Sequence, residues 1–182
     1  REDGSPILVR WSPRQVDRSL LPPTLLFTDL ESGEIKKQVL PNGYAAPWGK
    51  VWGPDGMLYM GLWGPAEIMR YDPAKVEYEH LGAIEKGERF IPHLTIGTDE
   101  RIYGLTGQSG HVLSYDPATG EAVHFGRQGP QRDYHIAYSG SIGVDDDYIY
   151  TTFGNVPKET WTISTNKASG EQVMLEEIQG AD

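Results

Sequence analysis

The sequence repeats itself at an interval of 44 residues, and this repeat constrains the fold more than any other feature. When 51–73 is aligned with 96–117, aspartates and tyrosines of the first stretch recur 44 positions later in the second. The matched pairs are Asp55 with Asp99, Tyr59 with Tyr103, Tyr71 with Tyr115, and Asp72 with Asp116. A fixed period of roughly 20–50 residues is typical of repeat architectures, in which one small structural unit recurs along the chain.

Two further copies of the unit are weaker. The stretch 142–150 repeats 96–103, and 164–171 repeats 114–121, with insertions that lengthen this copy. At the front of the chain only the second half of a unit is clear, where 27–34 matches the same turn. The 182 residues therefore hold about four units, of which the first is incomplete.

Each unit has the pattern of four short strands, which we name A to D in chain order. Apolar positions alternate or form short β-rich runs, as in 57–60. The joints Pro54-Asp55-Gly56 and 116–120 carry the Pro, Asp and Gly that tight turns need. In the unit that includes Tyr103, the pattern predicts strands over 94–97, 101–104, 111–115 and 121–125.

Four antiparallel strands in each period favour a β-propeller over a solenoid, because parallel β-helices and leucine-rich repeats use shorter periods. The sequence thus predicts an all-β protein that forms a single propeller region of about four four-stranded antiparallel blades. The approximate blades are 1–46, which lacks a convincing strand A, 47–91, 92–138 and 139–182. Either the C-terminal strand completes the first blade, or the chain is part of a larger ring.

Composition removes several function classes. Sixteen Lys and Arg against 26 Asp and Glu give a net charge of −10, which argues against nucleic acid or an anionic membrane as the main partner. The absence of Cys excludes a disulfide scaffold, thiol catalysis and Cys-ligated zinc. No run approaches the roughly 20 apolar residues of a membrane span. Because Arg1 is not a natural start, we expect a processed or excised chain.

Loop length predicts which face of the propeller carries function. The A–B and C–D turns are minimal, whereas the D–A connections 82–93 and 126–138 are long. In a propeller the D–A and B–C loops share one face, so we expect the site there. Candidate substrate-binding residues on this face are Arg89, Arg132, Trp48, Trp63, His111 and Tyr138, and candidate catalytic residues are His93, His135 and Tyr134.

Several of these residues have an equally simple structural explanation. His93 follows Pro92 directly before an apolar strand, so a buried histidine and a catalytic one stay equal alternatives. The tryptophans could instead fill the wedge between blades. The run 145–147 has the composition of a calcium loop, but the repeat places it on an A–B turn. We therefore predict a solvated turn and no cofactor, with calcium as the weaker alternative.

The stretches 48–59, 68–73 and 91–104 resemble secreted seven-bladed β-propeller proteins with repeated Tyr-Asp-Pro turns. That group includes NHL-like and streptogramin-lyase-like proteins and several polysaccharide lyases. The resemblance implies a seven-bladed ring, of which this chain would be about half, and a secreted or periplasmic location. Since the motifs that carry it are structural turns, it transfers no catalytic residue.

The first functional hypothesis is a lyase that cleaves a uronic-acid-containing polysaccharide by β-elimination. Arg89 or Arg132 would neutralise the uronate, His93 or His135 would remove the proton, and Tyr134 would protonate the leaving oxygen. The expected partner is an acidic oligo- or polysaccharide. The alternatives are a non-catalytic propeller that binds a glycan or protein partner, with the remaining blades of the ring as a further partner, and a metal-dependent lactonase-like hydrolase.

Overall fold

The computed structural model describes residues 7–12, 15–16, 19–20, 24–40, 47–63, 66–83, 87–129, 140–155 and 159–179. Within these ranges the regular elements are seventeen β-strands, so the all-β prediction is confirmed. A helix of the length and apolarity that crossing a bilayer requires is not found in this part of the chain. The strands fall into two compact units, Arg1–Pro47 and Trp48–Asp182.

The first unit contains one three-stranded antiparallel sheet and a short hairpin. The sheet has the order β1 (Ile7–Ser12), β4 (Thr24–Asp29), β5 (Ile35–Val39), and the hairpin consists of β2 (Gln15–Val16) and β3 (Ser19–Leu20). The turn after Asp29 is the repeated C–D turn, so β1, β4 and β5 correspond to strands B, C and D. In the described residues this sheet has no strand A.

The second unit contains three four-stranded sheets, each built from four consecutive antiparallel strands. We number them blades 2 to 4. Blade 2 consists of β6 (Pro47–Trp52), β7 (Leu58–Leu62), β8 (Glu67–Asp72) and β9 (Glu77–Ala83). Blade 3 consists of β10 (His93–Ile96), β11 (Ile102–Leu105), β12 (His111–Tyr115) and β13 (Ala122–Arg127). Blade 4 consists of β14 (Gly140–Val144), β15 (Tyr148–Asn155), β16 (Glu159–Asn166) and β17 (Gln172–Gln179).

Each blade is a meander in which neighbours in sequence are neighbours in the sheet, as the repeat predicted. The predicted strands of blade 3 agree with the observed ones to within two residues. The propeller fold with about four blades is therefore confirmed.

A tyrosine hydroxyl bonds the aspartate of the A–B turn in every blade of the second unit. The hydroxyls of Tyr59 and Tyr103 donate hydrogen bonds of 2.8 and 2.6 Å to Asp55 and Asp99 four residues earlier. Both tyrosines are almost fully buried, so the aspartates satisfy hydroxyl groups that would otherwise lie unpaired in the core. In blade 4, Asp145 accepts the Tyr150 hydroxyl at 2.9 Å. The same carboxylate accepts the N–H of Tyr148 at 2.7 Å, which is the turn role the repeat predicted for Asp145.

The C–D turns are capped by a side-chain oxygen that accepts two backbone N–H groups. In blade 3, Asp116 Oδ1 accepts the N–H groups of Ala118 and Thr119 at 2.8 and 3.3 Å. Asp29, Asp72 and Asn166 make the same pair of bonds in the other sheets. This turn ends at a residue in the left-handed region, which is Gly33, Gly120 or Gly170 in three sheets and Val76, with φ of 61°, in blade 2.

Two apolar clusters hold the blades of the second unit together. The cluster between blades 2 and 3 includes Tyr59, Ile68, Ile91, Ile102 and Leu113. The cluster between blades 3 and 4 includes Tyr103, Leu105, Val112 and Ile149. Because strand side chains alternate between faces, blade 3 uses one face for each neighbour.

Replacing Val76 with Gly should stabilise the protein by about 1 kcal/mol. A β-branched residue in the left-handed region is strained, whereas glycine adopts φ of 61° freely and loses only part of that gain to the entropy of the unfolded chain. Midpoints of urea unfolding compare the variant with the parent. The matched control is Gly120→Val at the same turn position in blade 3, which should destabilise; a lower midpoint for Val76→Gly would contradict the prediction.

Candidate functional site

The edge of blade 3 that faces the D–A and B–C loops carries two of the candidate residues, His93 and His111. In the observed register His93 pairs with Leu105, and His111 pairs with Arg127. The start of strand A, the end of strand B, the start of strand C and the end of strand D therefore lie at one edge of the sheet. The loop segments 87–92 and 106–110 border the same edge.

A chain of hydrogen bonds at this edge joins Glu88, Ser109 and His111. The Ser109 hydroxyl donates to one Glu88 carboxylate oxygen, and the Ser109 N–H donates to the other at 3.3 Å. The same hydroxyl oxygen lies 2.7 Å from His111 Nδ1, and Glu88 Oε1 lies 3.5 Å from that nitrogen. The three groups come from two different loops and the first residue of β12.

This geometry assigns the protons of the His111 ring. Ser109 has one hydroxyl proton, and the ionised carboxylate, which can only accept, receives it. The Ser109 oxygen must therefore accept the bond from His111, so Nδ1 carries the ring proton. In the neutral imidazole the lone pair then lies on Nε2, the nitrogen that can take up a proton. The His111 side chain keeps 25% of its surface exposed, so a ligand can reach it.

Glu88 is held in its ionised form. Its side chain is only 7% exposed, and burial alone would raise its pKa. Hydrogen bonds from His111, Ser109 and Thr106 outweigh burial and lower the pKa of Glu88 from 4.5 to about 2. Thr106 Oγ1 also accepts the His111 N–H at 2.9 Å, which fixes the backbone that carries the imidazole. The carboxylate is thus a permanent acceptor that keeps Ser109, and through it His111, in one orientation.

Arg127 is the cross-strand partner of His111. Residues directly opposite each other in an antiparallel pair carry their Cβ atoms about 4.5–5.5 Å apart on the same face. Arg127 Nε is buried and has no hydrogen-bond partner among the described residues. The partly buried side chain of Arg127 therefore starts beside that of His111, on the same face of the sheet.

Trp48 and Trp63, both predicted as substrate-binding, meet in one aromatic cluster with Phe90. The two indole rings pack edge to face at 4.7 Å, and each lies less than 6 Å from the Phe90 ring. A Cβ on Gly107, in the B–C loop of blade 3, would overlap the Phe90 ring, so glycine is required for this approach. Both tryptophans keep part of their surface exposed beside the Glu88 loop.

His93 does not join His111. Its register partner Leu105 faces the cluster with blade 4, whereas His111 shares its face with Leu113, which packs toward blade 2. A Cβ built on Gly140 of blade 4 would lie 3.7 Å from the His93 ring. Burial lowers the pKa of His93, and its Nε2 has no partner in the described part of the chain. The two histidines therefore lie on opposite faces of one blade.

Of the five remaining candidate residues, one is exposed and four lie outside the described residues. Arg89 lies in the D–A loop next to Glu88 and is exposed. Arg132, Tyr134, His135 and Tyr138 lie outside the described residues. Among the residues that are described, no three His, Asp or Glu side chains converge as ligands of one metal ion.

The sequence prediction omitted Ser109 and Arg127, although the repeat carried a signal for both. In blade 2 the residues 44 positions earlier are Pro65 and Ala83, and His111 replaces Glu67. Glu67 and Ala83 are register partners in blade 2, as His111 and Arg127 are in blade 3. Residues at the loop face that differ from their counterparts in the repeat therefore indicate the candidate site.

The fold and this edge define a β-propeller with a histidine-bearing loop face. No family model and no curated protein matches the chain. Solved structures do match: virginiamycin B lyase from Staphylococcus aureus has a TM-score of 0.63 at 18% identity, over 90% of this chain and 58% of that chain. A catalytically inactive histidine-to-alanine variant of that lyase, solved with quinupristin, has a TM-score of 0.59 at 18% identity, over 98% and 57%.

Hydrazine synthase from Kuenenia stuttgartiensis has a TM-score of 0.64 at 14% identity, over 86% of this chain and 43% of that chain. The chain thus spans less than two thirds of the length of these structures. At such identities the similarity shows the fold alone. The neighbours include streptogramin B lyase-like propellers, so the propeller fold that the resemblance implies is confirmed.

Glu88 should make the stability of the protein depend on pH between about 5 and 2. A carboxyl whose pKa is lower in the folded state stabilises that state above its unfolded pKa of 4.5, and this contribution is lost as the pH falls toward 2. The shift corresponds to a contribution on the order of 3 kcal/mol. Urea unfolding at pH 7 and pH 3 should show a smaller difference for Glu88→Gln than for the parent. Glu77→Gln, at an exposed position of β9, is the control and should behave like the parent.

Proposed function

We propose that this chain carries the general base of a propeller lyase, which breaks a carbon–oxygen bond by β-elimination at the loop-facing edge of blade 3. The observation that supports this proposal is the Glu88–Ser109–His111 chain of hydrogen bonds. It holds the ring proton on Nδ1 and turns the imidazole so that Nε2 is the basic nitrogen. A positioned base of this kind contributes roughly 10²–10⁴-fold to a proton transfer.

The reaction balances without water, oxidant or metal. His111 Nε2 takes the proton from a carbon next to a carbonyl or carboxylate group. The electron pair of that C–H bond forms a carbon–carbon double bond, and the neighbouring C–O bond breaks. The leaving oxygen departs with the C–O electron pair and is protonated by an acid, for which Tyr134 and protonated His135 are the candidates from the sequence.

The substrate class we propose is a uronic-acid-containing glycan. Arg89 is an exposed cation next to Glu88, and Trp48 and Trp63 offer aromatic faces near the same loop, which suits a charged sugar ring. The fold comparison favours a second substrate class, compounds related to quinupristin, because the similar lyase was solved with that compound. Both classes present an acidic C–H next to a carbonyl carbon.

We further propose that the chain forms about half of a seven-bladed ring in a secreted or periplasmic protein. The chain covers 57–58% of the length of the virginiamycin B lyase structures, which supports this size. A propeller that only binds a glycan or protein on the same edge is the alternative, and the metal-dependent lactonase-like hydrolase stays a prediction. Dependence on calcium and sensitivity to a chelator in the activity screen would favour the hydrolase.

His111→Ala should abolish lyase activity, with a loss of at least 100-fold in kcat and little change in KM, because a base acts in the transition state. The screen offers polygalacturonate, alginate, heparan sulfate and quinupristin, and follows the ultraviolet absorbance of unsaturated products and the masses of any products of quinupristin. His124→Ala, on the exposed strand β13 of the same blade, is the matched control and should keep full activity.

Full activity of His111→Ala would overturn the assignment of the base. Binding without any product in the parent protein would instead favour the non-catalytic alternative. Ser109→Ala should reduce kcat less than His111→Ala does, because it leaves the imidazole in place and removes only its orientation.

A further inference from the structure

The guanidinium of Arg127 has no counterion in the described part of the chain, and this separates it from Arg70 and Arg101, the arginines that serve the turns of blades 2 and 3. Arg70 pairs with Glu79 and Asp55, and Arg101 pairs with Glu121 and Asp116. These two arginines serve the structure of their turns and outer strands. Arg127 makes no such pair with a described residue, and its Nε is buried without a partner. A buried donor on a charged group costs free energy unless something accepts its hydrogen bond.

The neighbouring carboxylate is already occupied. Glu88 receives hydrogen bonds from the Ser109 hydroxyl and N–H, and it also bonds His111 and Thr106. It forms no ion pair with Arg127, although both residues border the same edge. The positive charge of Arg127 is therefore left for a group that does not belong to the described chain.

The backbone around Arg127 is fixed before any ligand binds. Gln172 of blade 4 donates to the Arg127 carbonyl at 2.9 Å and accepts the Gly129 N–H at 3.3 Å. Gln128, which is fully buried, donates its N–H to the Gly110 carbonyl at 2.9 Å and accepts a hydrogen bond from Thr165. A guanidinium on a fixed backbone keeps more of its binding energy, because less ordering is needed on binding.

The positions equivalent to His111 and Arg127 in the neighbouring blades do not pair a histidine with an arginine. Where blade 3 has His111 and Arg127, blade 2 has Glu67 and Ala83, and blade 4 has Trp161 and Glu177 as register partners. A second polar atom of this edge, Gln108 Oε1 in the B–C loop next to Ser109, is also buried and accepts no hydrogen bond from a described residue. Unsatisfied polar atoms on two separate segments of one edge indicate a site that a polar ligand completes.

We propose that Arg127 is a substrate-binding residue that takes the carboxylate of a hydroxy acid such as a uronic sugar, beside the basic Nε2 of His111. Arginine donates two parallel N–H bonds to a carboxylate, which sets its orientation as well as its charge. Neutralising the carboxylate acidifies the adjacent C–H, the proton that His111 would remove. The role of Arg127 in acidifying the C–H rests on the proposed function. The binding of a carboxylate by Arg127 rests on the geometry alone.

The test is a titration of the full 182-residue chain, labelled with ¹⁵N-arginine, with sodium D-glucuronate and with D-glucose as the uncharged control. Loss of one signal in Arg127→Lys assigns the Nε–H resonance of Arg127. Glucuronate should shift this resonance to saturation, and glucose should shift it at least tenfold less at equal concentration. Because this comparison uses the parent protein, it does not depend on whether a variant folds.

Variants then test the assignment. Arg127→Gln should abolish saturable glucuronate binding and Arg127→Lys should weaken it about tenfold, since lysine keeps the charge but loses the paired donors. Arg10→Gln, at an exposed position of β1, is the control and should bind glucuronate as the parent does. Equal responses to glucuronate and glucose, or unchanged binding by Arg127→Gln, would overturn the proposal.

The two proposals fail in different ways. If glucuronate binds through Arg127 but neither a screened uronate glycan nor quinupristin is cleaved, the carboxylate site stands and the lyase proposal fails. If His111-dependent cleavage is found and Arg127→Gln cleaves the same substrate at the parent rate, the lyase proposal stands and the role of Arg127 is overturned.

Discussion

The side-chain oxygen that opens each C–D turn fixes the pairing of two strands, and the arrangement of every blade depends on it. Asp72 and Asp116 each accept two backbone N–H groups across the turn, so strands C and D begin their pairing at a defined residue. Because side chains alternate between faces, a shift of one residue would turn the core side chains of a strand away from their neighbours. The same register puts His111 opposite Arg127 and His93 opposite Leu105, so the turn chemistry also decides which polar side chains share a face.

The fold could be predicted because its determinants are local and repeated. The Asp, Pro and Gly of a turn lie within five residues of each other, and the buried tyrosine of the A–B turn lies four residues after its aspartate in blades 2 and 3. Any one of these signals is weak, but the aspartates and tyrosines of blade 2 and the Asp-Pro pair of its C–D turn recur 44 residues later in the same order. Even Asp145, which compositionally belongs to a calcium-like run, was identified as a turn residue from its position in the repeat.

The site was predicted only in part, because its determinants are not local. Glu88 and Ser109 are 21 positions apart and lie in loops that belong to different connections, so no spacing rule joins them. The sequence prediction assigned histidines and cations to the site by the loop that carries them. In the sheet, the face on which a side chain lies depends on whether its position in the strand is odd or even. His93 and His111 therefore border the same edge but face different blades. The strand register determines the face of each side chain, and the turns determine the register, so the separation of His93 from His111 could have been predicted from the sequence. The contact between Glu88 and Ser109 could not have been predicted in this way.

The placement of charge explains how an acidic chain can carry an arginine without a described counterion at the loop-facing edge of blade 3. Most described carboxylates at the A–B and C–D turns are used locally: Asp99 bonds Tyr103 and Lys167, and Asp116 caps its own turn. Such groups contribute little field at the opposite edge, since solvent and salt screen exposed charges beyond about 10 Å. At the loop-facing edge of blade 3 the buried carboxylate of Glu88 is covered by hydrogen-bond donors. The net charge of −10 therefore says little about the potential where a ligand would bind.

The position of Ser109 between the carboxylate and the imidazole has a chemical consequence of its own. In a direct carboxylate–imidazole pair the charged carboxylate itself accepts the ring N–H. Here Ser109 accepts from Nδ1 and donates to Glu88, so the ring meets a neutral oxygen at 2.7 Å and the charge at 3.5 Å. The arrangement fixes the tautomer and the direction of Nε2 while it spreads the negative charge over several donors. A neutral hydroxyl thus sets the tautomer of His111, and the charge of Glu88 acts on the ring from a greater distance.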